Sequence, residues 1–264
     1  MQLKETTRRI DLVSVITPAY NAQEFISATI QSVLNQTYKN WEMIIVDDDS
    51  VDDTSKTCQE YSNKDKRIKV LKHDKTLGAG AARNTAIEHA VGDYMAFLDA
   101  DDVWKTNKLD QQLKFMKQHN TAICFSSYEL IDEQGHQLNK IIQALPRLDY
   151  NKQLKCNYIG NLTGIYSVKA LGKITMPEIQ KRQDWVMWLM AIKKAGEAIG
   201  MKEVLAQYRV RKNSLSSNKW SLLTYNYNVY RKTLNFSRTK SIICIFKFLF
   251  EYVFIKSKQI KTVK

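Results

Sequence analysis

Three carboxylates, Asp99, Asp101 and Asp102, follow directly on the apolar run Tyr94-Met95-Ala96-Phe97-Leu98. The run reads as a buried strand, so the acids arrive where that strand meets solvent. Carboxylates this close repel one another and raise each other's pKa unless a cation neutralises them. A hard divalent ion with oxygen ligands answers that need. Mg²⁺ or Mn²⁺ held by one or two carboxylates usually also carries substrate phosphates. The plainer reading of an isolated D-x-D is a solvated turn that caps the next helix. An EF-hand is excluded, because Val103 follows and no glycine comes after it. A second acidic group, Asp47-Asp48-Asp49-Ser50, ends another apolar run, Met43-Ile44-Ile45-Val46.

The elements that must position these groups alternate in type. Leu12-Val13-Ser14-Val15-Ile16 is a short apolar strand, and Phe25, Ile26, Ile30, Val33 and Leu34 then share one helical face. The run 43–46 predicts a second strand, about 53–62 a helix, Ile68-Lys69-Val70-Leu71 a third strand, 79–90 a helix and 93–98 a fourth strand. Alternation of this kind predicts an α/β fold with a mostly parallel sheet flanked by helices. Ligands bind such sheets outside the carboxyl ends of the strands, and both acidic clusters sit at those ends. The second half is less regular. Strands are expected at 122–127, 163–168 and 204–210 and a helix at about 184–195, completing the sheet and forming an acceptor-side lobe.

Composition narrows the class. The 264 residues suffice for one large α/β domain, or one domain with an appendage. Hydrophobic content of 44% rules out wholesale disorder. Net charge is +13, concentrated after Lys202, which suits an anionic membrane, an anionic substrate or nucleic acid. Cys58, Cys124, Cys156 and Cys244 form no C-x-x-C pair, and His73, His89, His119 and His136 show no ligand spacing. Reduced thiols in the cytosol are therefore expected, without a zinc site. The polar start Met1-Gln2-Leu3-Lys4-Glu5 predicts no secretory leader, and no run of about 20 apolar residues predicts a spanning helix.

Six patterns recur in order: Thr17-Pro18-Ala19-Tyr20-Asn21, Val46-Asp47-Asp48-Asp49-Ser50, Gly80-Ala81-Ala82-Arg83-Asn84, Asp99-Ala100-Asp101-Asp102, Gln183-Asp184-Trp185 and Tyr208-Arg209-Val210-Arg211. Together, over about residues 12–218, they closely resemble family 2 glycosyltransferases, which have the GT-A fold. Within that family the chain looks most like bacterial enzymes of cell-surface polysaccharide synthesis, including the teichuronic-acid type. The resemblance implies a GT-A glycosyltransferase domain over 1–218, followed by a basic, amphipathic helical extension over 219–264. It implies inverting, metal-dependent transfer of a sugar from a nucleoside-diphosphate sugar, a UDP-sugar favoured, to a hydroxyl of a glycan or lipid-linked glycan.

The resemblance also distributes roles. Thr17, Pro18 and Tyr20 lie beside the nucleotide base, with Pro18 fixing the backbone and Tyr20 placed to stack. Asp47 or Asp48 accepts a base N–H, although Asp52 could cap the following helix as well as either. The family usually carries Gly at the position of Asp49, so this chain adds a charge there. Gly78-Ala79-Gly80 lacks the third glycine of a dinucleotide fingerprint and reads as a small-residue helix start, with Arg83 reaching the base or phosphates. Asp99 falls to the ribose or the metal, and Asp101 to direct ligation of Mn²⁺ or Mg²⁺, which would stabilise the departing diphosphate. Asp184 is the candidate general base, and it could equally cap its helix. Arg209 and Arg211 belong to a late flexible segment continuing through Lys212-Asn213-Ser214-Leu215-Ser216; many members have His where this chain has Arg211, and a permanent cation there could hold the donor diphosphate.

Residues 241–258 read as a strongly apolar helix with Lys247, Glu251 and Lys258 along one polar stripe. Such a helix lies in a membrane interface, with Lys240, Lys256, Lys258, Lys261 and Lys264 drawn to anionic lipid; the plainer reading docks it on the protein body or at a dimer interface. The expected location is cytoplasmic, peripheral on the inner face of the plasma membrane. A nucleic-acid-binding protein would account for the charge but not for the acidic clusters, so no nucleic-acid partner is expected. A nucleotidyltransferase shares the acidic metal site. It usually needs a glycine-rich loop after the first strand, and Thr17-Pro18-Ala19-Tyr20 is not one.

Overall fold

A computed structural model describes residues 11–211 and 219–262, with backbone only for 219–222. Met1 to Glu5, Lys264 and the Lys212–Ser216 part of the late basic pattern lie outside the described residues. The chain runs β1 (Val13–Ala19), α1 (Ile26–Leu34), β2 (Trp41–Asp47), α2 (Thr54–Lys64), β3 (Ile68–Lys72), α3 (Ala79–His89), β4 (Tyr94–Phe97), β5 (Val103–Trp104) and α4 (Lys108–Gln118). It continues through β6 (Ile123–Ile131), β7 (Gln137–Ile142), β8 (Arg147–Asp149), α5 (Tyr150–Lys155), β9 (Ile165–Ser167), α6 (Val168–Leu171), α7 (Gln183–Ala195) and β10 (Glu197–Arg209). After it come α8 (Lys219–Asn228), α9 (Arg238–Phe250) and β11 (Ile260–Thr262).

The first four strands are parallel in the order β3-β2-β1-β4, the right frame for a switch-point ligand site. β9, β6, β7 and β11 extend the same sheet by antiparallel pairing, and β10 joins β6 in parallel while binding β5 and β8 antiparallel. Every residue of β1 and β2 is buried, as expected of strands covered on both faces. Alternation then sorts their side chains into two layers. Val13, Val15, Met43 and Ile45 join Ile26, Ile30, Leu109 and Leu113 in one core. Ile16, Ile44 and Val46 join Ala82, Ala86, Ile87, Trp188 and Ile192 in the other. Pro18 is tolerated within β1 because β4 pairs only with Val13–Ile16, so no hydrogen-bond ladder demands an N–H from residue 18 on that side.

The expected first half matches closely, whereas the second half departs in its boundaries. The strand expected at 122–127 runs on to Ile131, and that expected at 204–210 begins at Glu197. A 3-10 turn at Asn161–Thr163 replaces the start of the one expected at 163–168. Gly164 sits where an added Cβ would lie 2.2 Å from the Trp188 ring, so the backbone must pass flat against that indole. The short strands β5, β7, β8 and β11 were not expected, because two or three residues, or an exposed polar edge such as Gln137-Leu138-Asn139-Lys140, carry no period to read.

The polar stripe expected on the C-terminal helix breaks at Glu251: Lys247 and Lys258 are exposed, but Glu251 is buried. Ser241, Cys244, Phe248 and Glu251 face the protein and are buried. Ile242, Ile243, Phe246, Phe250, Val253 and Phe254 are exposed, Phe246 by 67%. Glu251 goes inward because it has partners there: the Tyr158 hydroxyl donates to it and Lys152 pairs with it. The helical path also widens and then tightens after Phe250, through a π turn at Glu251–Ile255 and a 3-10 turn at Lys256–Gln259.

Lys108 is fully buried at the start of α4. Its ammonium donates to Gln112 Oε1 at 2.5 Å and lies 4.2 Å from the centre of the Trp104 ring. Burial brings its pKa from the ordinary lysine range down to about 7. With the folded pKa depressed, the unfolded chain binds more protons between about pH 7 and pH 10, so this group's contribution to stability rises with pH across that window. Lys108→Met should therefore stabilise the fold on the order of 2 kcal/mol near pH 6, with the gain shrinking toward pH 10 in thermal melts. A difference that stays constant with pH would contradict this.

Candidate active site

The carboxyl ends of the parallel strands open into a cavity of about 1220 Å³. It gathers Asp99, Asp101 and Asp102 after β4, Gly80 and Arg83 from α3, Asp184 from α7, and Arg209 and Arg211 from the end of β10. These groups are up to 131 residues apart in sequence (Gly80 to Arg211). α1 fixes the acidic turn from behind: Thr29 Oγ1 lies 2.9 and 2.8 Å from the carbonyl oxygens of Ala100 and Asp102.

Each carboxylate of the turn has a hydrogen-bond donor, an arginine guanidinium for Asp99 and Asp101 and a backbone N–H for Asp102. Arg83 Nη2 donates to Asp99 Oδ1 at 2.6 Å, Arg211 Nη1 to Asp101 Oδ2 at 3.2 Å, and the Arg209 backbone N–H to Asp102 Oδ1 at 2.9 Å. The cations do not cancel the crowding. Burial, then the Asp99 charge, pushes the Asp101 carboxyl up against the pull of Arg211. Burial, then Asp101 and Asp99, pushes Asp102 well up. Arg83 is buried among Asp99, Asp101 and Asp184, and their charges outweigh the desolvation that opposes its own. Its Nε has no protein partner among the described residues. Arg209 is committed to backbone, its guanidinium donating to the carbonyls of Asp101, Asp132 and Glu133. Arg211 is the more exposed of the two, and both guanidinium groups lie about 5 Å from the Phe25 ring centre, at 5.1 Å for Arg209 and 4.9 Å for Arg211.

Asp184 lies in the first turn of α7 and accepts a 2.8 Å hydrogen bond from Asn157 Nδ2. It does not cap the helix. Arg182 occupies that position with φ of +72°, a left-handed conformation that costs a bulky residue energy and turns the chain sharply into Gln183 and Asp184. Gln183 packs on Gly80: a Cβ there would lie 2.4 Å from the Gln183 amide nitrogen. Asn84 closes the same corner, exchanging two hydrogen bonds with the backbone of Met176. Asn157 and Thr29 carry no signal in the sequence, because their importance lies in what they touch across the fold; Gln183 stands in a motif, but its packing on Gly80 does not show there.

Thr17, Pro18, Tyr20, Asp47 and Asp48 do not line this cavity. Asp48 is buried and spent on architecture, accepting from the backbone N–H groups of Leu77 and Gly78 at 2.9 and 2.7 Å and from His73 Nδ1 at 2.7 Å. Asp47 is different. One oxygen accepts from Ser50 N, while Oδ2 and the nearby strand's Thr17 Oγ1 are buried polar atoms without a protein partner among the described residues. Tyr20 is half exposed. Asp52 binds the N–H groups of Thr54 and Gln23, taking the capping role that Asp47 could have had. Asp49 has φ of +65°, which explains why glycine suits that position and why Asp, one of the few side chains tolerant of it, is accepted.

Among the described residues no three His, Cys, Asp or Glu side chains form a ligand cage. Mg²⁺ or Mn²⁺ bound together with phosphates needs only one or two carboxylates, and the mutually repelling Asp99 and Asp101 fit that requirement.

A parallel strand set with an acidic turn at its carboxyl edge is the architecture of GT-A glycosyltransferases, and solved structures agree. The chain superposes on S. aureus TarS 1-349 in complex with UDP-GlcNAc with a TM-score of 0.72 at 21% identity, covering 93% of this chain and 74% of that one. It superposes on the mannosyltransferase PcManGT from Pyrobaculum calidifontis, in complex with GDP-Man and Mn²⁺, with a TM-score of 0.65 at 16% identity, covering 94% and 71%. Residues 14–175 match the model of glycosyl transferase family 2, and the chain belongs to that family. It is 45% identical to TuaG of Bacillus subtilis (strain 168), named for teichuronic acid biosynthesis, over 90% of this chain and 94% of that one. It is 40% identical to WfgD of Escherichia coli, a UDP-Glc:alpha-D-GlcNAc-diphosphoundecaprenol beta-1,3-glucosyltransferase, over 83% and 85%. WfaP of Escherichia coli, of the same named activity, is 37% identical over 90% and 92%.

Asp48→Ala should leave two backbone donors without their acceptor and cost about 3 kcal/mol in urea unfolding. A loss below about 1 kcal/mol would show that water replaces the carboxylate there.

Proposed function

We propose that this glycosyltransferase moves a sugar, glucose being the first to test, from a UDP-sugar to a hydroxyl of a lipid-linked surface-polysaccharide acceptor, with inversion at the anomeric carbon. The observation that carries the reading is the joint placement of Asp99, Asp101 and Asp184 on one cavity around Arg83. The named activities of the similar Escherichia coli proteins support the donor and the acceptor.

The unpartnered Asp47 Oδ2 is an acceptor for the uracil N–H, and Thr17 Oγ1 serves the same end of the nucleotide. Pro18 and Tyr20 follow Thr17 at the same strand end, and Asp48 holds the 77–78 turn that leads to Arg83. Asp99 and Asp101 would hold Mn²⁺ or Mg²⁺, which, when bound, neutralises the diphosphate and makes it a better leaving group. Arg211 exchanges Asp101 for a phosphate oxygen, and Arg209 keeps the acidic turn in place. Asp184, oriented by Asn157, takes the proton of the acceptor hydroxyl as its oxygen attacks the anomeric carbon. The bond from that carbon to the β-phosphate oxygen breaks, and UDP departs with the electron pair.

The extension beyond residue 219 supplies the membrane contact. Among the described residues no helix is long and apolar enough to cross a membrane. The face of α9 and the following turn instead presents Ile242, Phe246, Phe250 and Phe254 to the outside, with Lys240, Lys247 and Lys258 nearby in the chain. That combination suits the interface of an anionic bilayer, and we place the enzyme on its cytoplasmic side.

Asp184→Asn should lower transfer by about 10²–10⁴-fold with the affinity for UDP unchanged. Full transfer by this variant would remove Asp184 from the mechanism. Asp47→Asn, which puts a donor against a donor, should weaken UDP binding about tenfold in calorimetry with little loss of stability. The triple change Phe246→Ser, Phe250→Ser, Phe254→Ser should abolish cosedimentation with anionic liposomes, and binding equal to wild type would place the apolar face against something else.

A further inference from the structure

Lys256 stands apart from the other cations of the cavity. It comes from the C-terminal extension, yet it lines the same space as Asp101 and Asp184. Its ammonium donates to the Asn157 carbonyl, and it lies 5.9 Å from the centre of the Tyr158 ring. Arg83 and Arg211 have carboxylate partners in the acidic turn, and Lys152 has Glu251. No carboxylate lies within ion-pair distance of Lys256 among the described residues, although the side chain is half-buried. A cation kept in a cavity wall without a counter-ion is a standing demand for an anion.

Two further facts say which anion. Asn157 accepts from Lys256 through its carbonyl and donates through its side chain to Asp184, so Lys256 lies one residue away from the candidate base, on the acceptor's side. The turn immediately before it carries Tyr252, Val253 and Phe254, all exposed and apolar. A ligand held at Lys256 thus meets a negative charge requirement at one end and a greasy surface at the other. A sugar hydroxyl near Asp184, a diphosphate on Lys256 and a prenyl chain against the exposed Tyr252–Phe254 turn would use all three features.

We infer that Lys256 is the anion subsite for the acceptor, binding the diphosphate that joins the acceptor sugar to its lipid. The inference rests on the lipid-linked acceptor of the preceding section. It makes the extension part of the substrate site as well as a membrane contact. Lys256 is then a specificity residue that separates diphosphate-bearing acceptors from neutral ones.

The test uses farnesyl diphosphate and farnesol as probes, with the full-length protein saturated in UDP and Mn²⁺ so that the donor site is filled. Wild type should bind farnesyl diphosphate. Lys256→Gln, which keeps a donor for the Asn157 carbonyl, should bind it about tenfold more weakly, and Lys256→Arg should restore most of the affinity. Farnesol should bind all three proteins alike, and UDP affinity should not change. Equal affinity of wild type and Lys256→Gln for the diphosphate overturns the subsite, as does a wild type that ignores it. A parallel loss of farnesol or UDP binding in Lys256→Gln would overturn it in favour of a structural tie. Diphosphate binding that follows Lys256, together with no transfer to any lipid-linked sugar, supports the subsite and overturns only the acceptor reading.

Discussion

Repulsion among Asp99, Asp101 and Asp102 is the constraint on which the rest of the site depends. The turn after β4 packs three carboxylates where burial and mutual charge push two of them upward in pKa. Such a turn persists only if neighbouring elements supply cations and hydrogen bonds. Arg83 arrives from α3, Arg209 and Arg211 from the end of β10, and Thr29 from α1. Each of those contacts fixes one element of the fold to the others. These partners offset the crowding only in part, and Asp101 and Asp102 stay raised in pKa.

Around this turn the fold separates rigid parts from open ones. The loops after β1 and β2 are sewn together: the Asn21, Ala22 and Gln23 N–H groups donate to Ser50, Thr54 and Asp52, while Asn21 Oδ1 and Gln23 Oε1 accept from the Val51 and Asp53 N–H groups. The ends of β1 and β2 beside Thr17 and Asp47 are therefore held rigidly, and a group fixed in place before a ligand arrives loses less entropy on binding. The side of the cavity that carries Asp184 is built differently. Asp184 follows a strained Arg182, leans on Asn157, and through it reaches a C-terminal segment whose outer face is apolar.

How much of this the sequence disclosed follows from the range of each interaction. The parallel strands and their helices were legible because burial on both faces leaves unbroken apolar runs, and the acids at their ends stand out against them. The site residues could be named because the motifs are local: Asp101, Arg83 and Asp184 each sit in a short pattern. Their roles relative to one another could not be read. Asp47 and Asp48 are adjacent in the chain, yet one carries an unpartnered oxygen and the other is consumed by Leu77, Gly78 and His73. The inward turn of Glu251 was equally hidden, since its reasons are Tyr158 and Lys152, about a hundred residues away. An apolar stripe shows that a helix is amphipathic but does not say which face meets the protein.

The central claim is that the acidic turn exists to bring a divalent ion to a nucleoside diphosphate. Calorimetric titration of UDP in the presence of Mn²⁺, and again in EDTA, measures that directly. The account predicts that Mn²⁺ tightens UDP binding by tenfold or more in the wild type and makes no difference in Asp101→Asn. UDP binding by the wild type that is indifferent to EDTA would contradict it.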